Sequence, residues 1–165
     1  METLLTDIDK QILKEYIRKI KNPNCYVEIG TYQGGSALIA SEITKQPVYS
    51  IDIVDNLDSE LKEKFNFILG DSLEIVKNWD KYIGLLFIDG DHTRVGEDFE
   101  MWKNKVVDGG YILFHDYCQH PEWNVVSNCD SIIEKYKNKL EILRIPLLVA
   151  NERSSILVIK KLQRL

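Results

Sequence analysis

Five short apolar runs, each closing on an acid, constrain this chain more than any other feature of its sequence. They cover 25–30, 48–53, 65–69, 82–88 and 111–114, and the acids are Glu28, Asp52, Asp71, Asp89 and Asp116. The run 82–88 (YIGLLFI) is almost continuously apolar, as expected of a strand buried on both faces. Helix-patterned segments at 36–44, 57–64, 72–78 and 97–105 lie between the runs. Strands alternating with helices predict a parallel sheet with helices on both faces.

The flanks complete this outline. Ile8, Ile12, Tyr16, Ile17 and Ile20 have helical spacing, with Thr6 placed to cap, so a helix is expected over 7–21, broken by Asn22-Pro23-Asn24. Asp108-Gly109-Gly110 reads as a tight turn before the fifth strand. Pro121 suits the first turn of a helix running to about 138. The end departs from the alternation. Two strands, 141–150 and 155–160, are separated only by the polar stretch 151–154, which predicts an antiparallel hairpin. A dinucleotide-binding dehydrogenase domain would close on a parallel strand instead. The expected fold is α/β: a Rossmann-like, doubly wound, mostly parallel seven-stranded sheet with a C-terminal antiparallel hairpin, as one domain over 1–165.

Composition narrows the class of partner. A net charge of -5 argues against nucleic acid, which selects a basic excess. Three cysteines, Cys25, Cys118 and Cys129, form no CxxC pair, so neither a disulfide framework nor a zinc ribbon is expected, and a reducing cytoplasm is the expected compartment. The first residues carry acids where a signal peptide carries lysines, and no apolar stretch approaches the ~20 residues needed to span a bilayer. Trp79, Trp102 and Trp123 read as packing residues.

In an open parallel sheet, ligands bind beyond the carboxyl ends of the strands, so the residues closing each run are the candidates for chemistry. The loop Gly30-Thr31-Tyr32-Gln33-Gly34-Gly35 removes side chains where a ligand must approach the main chain. Its GxxxGG spacing is not the GxGxxG of a pyrophosphate loop. Glu28 would repel a pyrophosphate and suits a cationic ligand. Asp52 lies 22 residues beyond Gly30, close to the ~20-residue offset at which an acid accepts ribose hydroxyls. Asp71 can accept from an adenine amino group or cap the helix after it, and the two roles are compatible. Tyr117 is a candidate for lining an acceptor pocket, and Arg94 and His120 for touching substrate.

VEIGTYQGGSALIA, VYSIDIVD, FILGDS, LLFIDGDH and DGGYILFHDY, in that order, resemble the successive motifs of class I S-adenosylmethionine-dependent methyltransferases. The closest pattern is the small macrocin-type O-methyltransferase group with its cephalosporin hydroxylase-like relatives. The resemblance implies a cofactor half at about 25–90 and an acceptor and metal half at about 89–165. It implies S-adenosylmethionine as cofactor, contacted by Glu28, Gly30, Tyr32, Gly35, Ser36, Asp52, Asp71, Ser72 and Asp89. It implies a divalent metal (Mg, Mn or Fe) on Asp89, His115 and Asp116. His115 departs from the acid-acid pair of that group, and imidazole suits manganese, iron or zinc better than magnesium. The base that takes the acceptor's hydroxyl proton falls on Asp91 or His92, and imidazole titrates near neutral pH.

The implied activity is methyl transfer to a hydroxyl of a small molecule, such as a sugar or natural product. A metal-dependent reaction of another type on the same fold and a non-catalytic binding domain are the competing readings. The chain has no long N-terminal extension, so the helix at 7–21, or a neighbouring subunit of a homo-oligomer, must cover the acceptor.

Overall fold

The computed structural model describes residues 4–118, 120, 122–146 and 154–165. It contains strands β1 (Cys25–Ile29), β2 (Val48–Asp52), β3 (Asn66–Leu69), β4 (Ile83–Ile88), β5 (Val106–Phe114), β6 (Leu140–Arg144) and β7 (Leu157–Lys161). The helices are α1 (Asp7–Ile17), α2 (Gly35–Ile43), α3 (Ser59–Lys62), α4 (Ser72–Ile75), α5 (Val95–Trp102) and α6 (Val125–Tyr136), and a 3-10 turn at Val76–Asn78 extends α4. One seven-stranded sheet runs in the order β3-β2-β1-β4-β5-β7-β6, with β7 antiparallel to both its neighbours and β1 to β5 parallel. The expected α/β sheet with its antiparallel end is therefore present.

Alternation along the central strands divides the core. Leu86 and Ile88 of β4 face α5 and α6, meeting Phe99, Trp102, Val125 and Cys129. Leu85 and Phe87 face α1 and α2, meeting Leu13, Ile17, Ala37 and Ala40. All four β4 side chains are at most 1% exposed, and burying each contributes about 1.5–3 kcal/mol.

Three expectations are corrected. The first helix stops at Ile17, not at 21, because Lys19 and Ile20 bond back three residues, to Tyr16 and Ile17, and tighten its end. Asp108-Gly109-Gly110 is no turn between elements. It is a bulge inside β5: Ile83 pairs with Val106 and Leu85 with Tyr111, so four residues of β5 stand against Gly84. Gly109 there has φ +82, which a side chain disfavours. The helix expected from 121 begins at Val125, while Pro121 and most of the hairpin turn, 151–153, lie outside the described residues.

The order reverses between β1 and β4, which both lead away from the start of the sheet. The chain leaves their carboxyl ends for helices on opposite faces, α2 after β1 and α5 after β4, and a crevice lies there.

Candidate active site

A cavity of about 640 Å³ occupies that crevice. It falls within the range for small-molecule sites. Gly30 lines it with φ +97, and a Cβ on it would lie 2.1 Å from the Asp89 carbonyl oxygen. Glycine is thus required where the β1 loop and the β4 loop touch. Tyr32, Gly35 and Ser36 carry the wall into α2.

Asp52 closes β2 and organises this loop. Its Oδ2 accepts from the Thr31 amide at 2.8 Å and the Tyr32 amide at 3.0 Å, and its Oδ1 accepts from Val54 at 3.0 Å. Beneath the loop, Thr31 Oγ1 is 2.6 Å from Ser50 Oγ, which donates to Glu28 Oε1, while the Tyr26 hydroxyl donates to Glu28 Oε2 at 2.7 Å. Glu28 is wholly buried and does not line the cavity, which corrects its expected place beside the cofactor. Both its oxygens are used beneath the floor. Burial pushes its carboxyl up to about 7, against the hydrogen bonds from Ser50, Tyr26 and Ser36.

On the β3 side, Asp71 caps α4 by accepting from the Leu73 amide at 2.9 Å, and Arg94 Nη2 lies 3.2 Å from each of its oxygens. The Leu73 bond, against burial, and then Arg94 hold the Asp71 carboxyl below the usual range. The Ser72 hydroxyl donates to Asp98, a buried acid on α5.

On the β4–β5 side the wall is built from side chains far apart in sequence. His92 Nε2 lies 2.8 Å from Asp116 Oδ2, and the His92 ring stacks on Trp123 at 4.1 Å. Trp123 also stacks on His120 and lines the cavity, so it is not the packing residue expected, unlike Trp79 and Trp102, which pack on each other in the core. Asp116 adopts φ +54, a left-handed conformation that turns its carboxylate toward both histidines. His115 Nδ1 is 2.9 Å from Asp89 Oδ1 and 3.1 Å from Asp116 Oδ2, and its Nε2 faces Asp9 Oδ2 at 3.7 Å. Burial opposes charge on His115, but the carboxylates of Asp116, Asp89 and Asp9 around it push its imidazole up to about 12. Burial also works against the Asp116 carboxylate, and His115 outweighs it, keeping that carboxyl below the usual range.

The geometry differs from the expected metal set in one residue: His115 Nδ1 is taken up by Asp89 and Asp116. Among the described residues, Asp89, His92 and Asp116 are instead the three that each offer a ligand atom within 4.8 Å of the others. One imidazole with two carboxylates fits manganese or iron better than magnesium. Asp91, the other expected base, spends Oδ1 on the Thr93 amide and hydroxyl at 2.8 and 2.7 Å, and those bonds keep its carboxyl below the usual range.

All the residues expected to hold the cofactor or a metal or to act as base, except Glu28, line the one cavity, and of the residues expected to meet the acceptor Arg94 lines it and His120 does not. Tyr117 does not line it either: it is buried, with its hydroxyl donating to Asp130 at 2.8 Å. The sequence did not single out Asp9, Thr31, Ser50 or Asp98. Asp9 carries one local signal, its place three residues after Thr6 in a capping box. That signal says nothing of His115, or of the Ser155 amide that donates to Asp9 at 3.1 Å. Leu4 and Leu5, ahead of α1, line the cavity, so the chain's own N-terminal segment covers part of the site.

The pattern of a family described as a methyltransferase domain matches residues 27–117. An uncharacterized protein of Acanthamoeba polyphaga mimivirus is 34% identical over 125 residues, 63% of this chain and 56% of that protein, so the match spans little over half of the relative. The fold is similar to a putative rRNA-methylase from Clostridium thermocellum, with TM-score 0.77 and 14% identity over 99% of both chains. It is similar to the O-methyltransferase TomG from Streptomyces achromogenes, solved with S-adenosylmethionine, with TM-score 0.73 and 13% identity over 96% of this chain and 82% of that one. An O-methyltransferase from Bacillus cereus, solved with S-adenosylhomocysteine, gives TM-score 0.75 and 14% identity over 95% and 82%.

Proposed function

The chain belongs to the methyltransferase-domain family, and from that premise we propose that it transfers the methyl group of S-adenosylmethionine to a hydroxyl of a small molecule. The observation that carries this reading is a single cavity shared by the Gly30–Asp52 loop and the His92–Asp116 pair. The sulfonium and ammonium of the cofactor are cations, and Asp52, Asp89, Asp91 and Asp116 make an acidic wall suited to them. Asp52 holds the ribose, and the Gly30 loop gives main-chain approach to the methionine part.

The acceptor oxygen attacks the methyl carbon in line with the sulfur. The new C–O bond forms as the S–C bond breaks, and the sulfonium becomes the thioether of S-adenosylhomocysteine. His92 takes the hydroxyl proton. With its Nε2–H donated to Asp116, the lone pair is on Nδ1, and Trp123 fixes the ring plane. Asp91, already accepting two bonds from Thr93, is the weaker base. A divalent metal on Asp89, His92 and Asp116, bound in place of the His92–Asp116 hydrogen bond, would lower the pKa of the acceptor hydroxyl. This is the second reading, and it removes His92 as base.

The acceptor is small and not a polyanion. Arg94 is the one guanidinium lining the cavity among the described residues, and it is spent on Asp71. RNA is thereby disfavoured, as the net charge of -5 also argues. Among the described residues no helix is long and apolar enough to cross a membrane. The three cysteines are unpaired, which suits a reducing cytoplasm.

Calorimetric titration with S-adenosylhomocysteine, with and without Mn²⁺ and with NAD as control, tests the reading. Micromolar binding of the thioether and none of NAD is expected. NAD binding, or no thioether binding, would overturn it. Abolition of product release by a chelator during an acceptor screen would select the metal-bound reading.

A further inference from the structure

Asp98 is the one buried acid of the cavity wall to which no role has fallen. It lies on the first turns of α5, is 3% exposed, and lines the cavity on the side where β3 ends. Its Oδ1 accepts from the Ser72 hydroxyl, and its Oδ2 has no hydrogen-bond partner among the described residues. Burial pushes this carboxyl up to about 6, against the Ser72 bond and the charge of Arg94.

Its position along the cavity identifies the group it meets. Asp52, closing β2, lies between the His92–Asp116 end and the β3 end. A ribose held by Asp52 with the sulfur toward His92 therefore sends its base toward Gly70, Ser72 and Asp98. Ile53, 69% exposed and lining the cavity, offers that base an apolar face. Asp71 is the other acid there, but its oxygens are bonded by the Leu73 amide and by Arg94.

Resting on the S-adenosylmethionine reading, we propose that Asp98 is the specificity-determining residue for adenine, its Oδ2 accepting a hydrogen bond from the 6-amino group. Ser72 orients the carboxylate through Oδ1. Asp71 is a helix cap paired to Arg94 and does not read the base. A 6-oxo purine presents a lone pair in place of the amino hydrogens and meets the carboxylate with repulsion. Asp98 thus selects by what it rejects as well as by what it binds.

The test compares S-adenosylhomocysteine with S-inosylhomocysteine by calorimetry at pH 8, on the unaltered chain, Asp98→Asn and Asp71→Asn. Asparagine keeps the shape and the Ser72 bond and can donate to a 6-oxo group. The unaltered chain is expected to prefer the adenosyl compound by about tenfold or more, as for one charge-assisted hydrogen bond. Asp98→Asn should bring that ratio close to one, and Asp71→Asn should leave it within about twofold. A purely structural role for Asp98 would weaken both ligands together and leave the ratio unchanged. An unchanged ratio in Asp98→Asn, a collapse in Asp71→Asn, or no discrimination by the unaltered chain overturns the proposal. Binding of neither compound overturns the cofactor reading itself, and this one with it.

Discussion

On the β1–β3 side of the cavity, main-chain amides hold the two acids that close β2 and follow β3. Amides of Thr31, Tyr32 and Val54 converge on Asp52, and the Leu73 amide on Asp71. On the β4–β5 side the wall is side chain against side chain: Asp9, Asp89, His92, His115 and Asp116 hold one another, with Trp123 stacked alongside. Main-chain bonds depend little on which residues supply them. A side-chain cluster depends on every member. The first construction suits a ligand that does not change, and the second suits a chemistry that is adjusted by substitution. Gly30 is where the two sides touch.

Replacing that contact should have the largest effect. Gly30→Ala puts a methyl group against the Asp89 carbonyl in a backbone conformation that alanine disfavours. A stability loss of about 4 kcal/mol or more is expected, seen as a lowered thermal midpoint together with loss of S-adenosylhomocysteine binding. A variant that melts normally would show that the two sides do not bear on each other.

Next is the side-chain wall alone. In His92→Ala, turnover should fall by about 10²–10⁴, while affinity for S-adenosylhomocysteine stays within about threefold. Stopped-time product assays and calorimetry on one preparation separate the two effects. Unimpaired turnover would return the proton to Asp91 or to a metal-bound species.

The third difference lies under the cofactor loop and is read by pH. Glu28 has its folded pKa raised to about 7 from the model-peptide value of 4.5, so the folded chain holds this proton more tightly than the unfolded one. Its contribution is fully present below about pH 4.5 and is lost as pH rises through about 7. Denaturant melts from pH 4.5 to 8 should show the unaltered chain losing on the order of 3 kcal/mol relative to Glu28→Gln across that window. Parallel profiles would mean that Glu28 is ionised throughout.

The smallest effect is expected at Asp52. Asp52→Ala should weaken S-adenosylhomocysteine at least about tenfold, or ~1.4 kcal/mol, with a modest fall in melting temperature from the freed amides. Equal affinity would sink the ribose assignment.

These two walls also differ in how far the sequence exposes them. The glycine loop, the acids closing each strand and the alternation of apolar runs are local patterns. They gave the sheet, its antiparallel end and the polar strand-end part of the cavity lining, but not Leu4, Leu5, Ile53, Val54 or Trp123. Glu28 was misplaced because strand-end position does not say which way a side chain faces: Tyr26 and Ser50 draw it under the sheet. The sequence grouped His115 rather than His92 with Asp89 and Asp116 for a related reason. His115 and Asp116 are adjacent in sequence, yet Asp116 turns outward toward His92 through its positive φ while His115 points in toward Asp9. Asp9 and Asp98 stayed hidden because their partners, at 115, 155 and 72, are separated from them by anything from 26 to 146 residues, and no local spacing encodes such a contact.

β7 is the last strand in sequence but an interior strand of the sheet, lying between β5 and β6. Ser155, just ahead of it, receives the Asp116 amide on its hydroxyl and the Tyr117 amide on its carbonyl, and gives its own amide to Asp9. During synthesis the order of events is therefore fixed by geometry. Strands β1 to β4 can pair and shape the cofactor loop while the chain is still growing. The side-chain wall can lock only after residues 155–161 have been made and slot into a gap the sheet must keep open. A chain interrupted in that interval would have a cofactor loop before it had a means of using it.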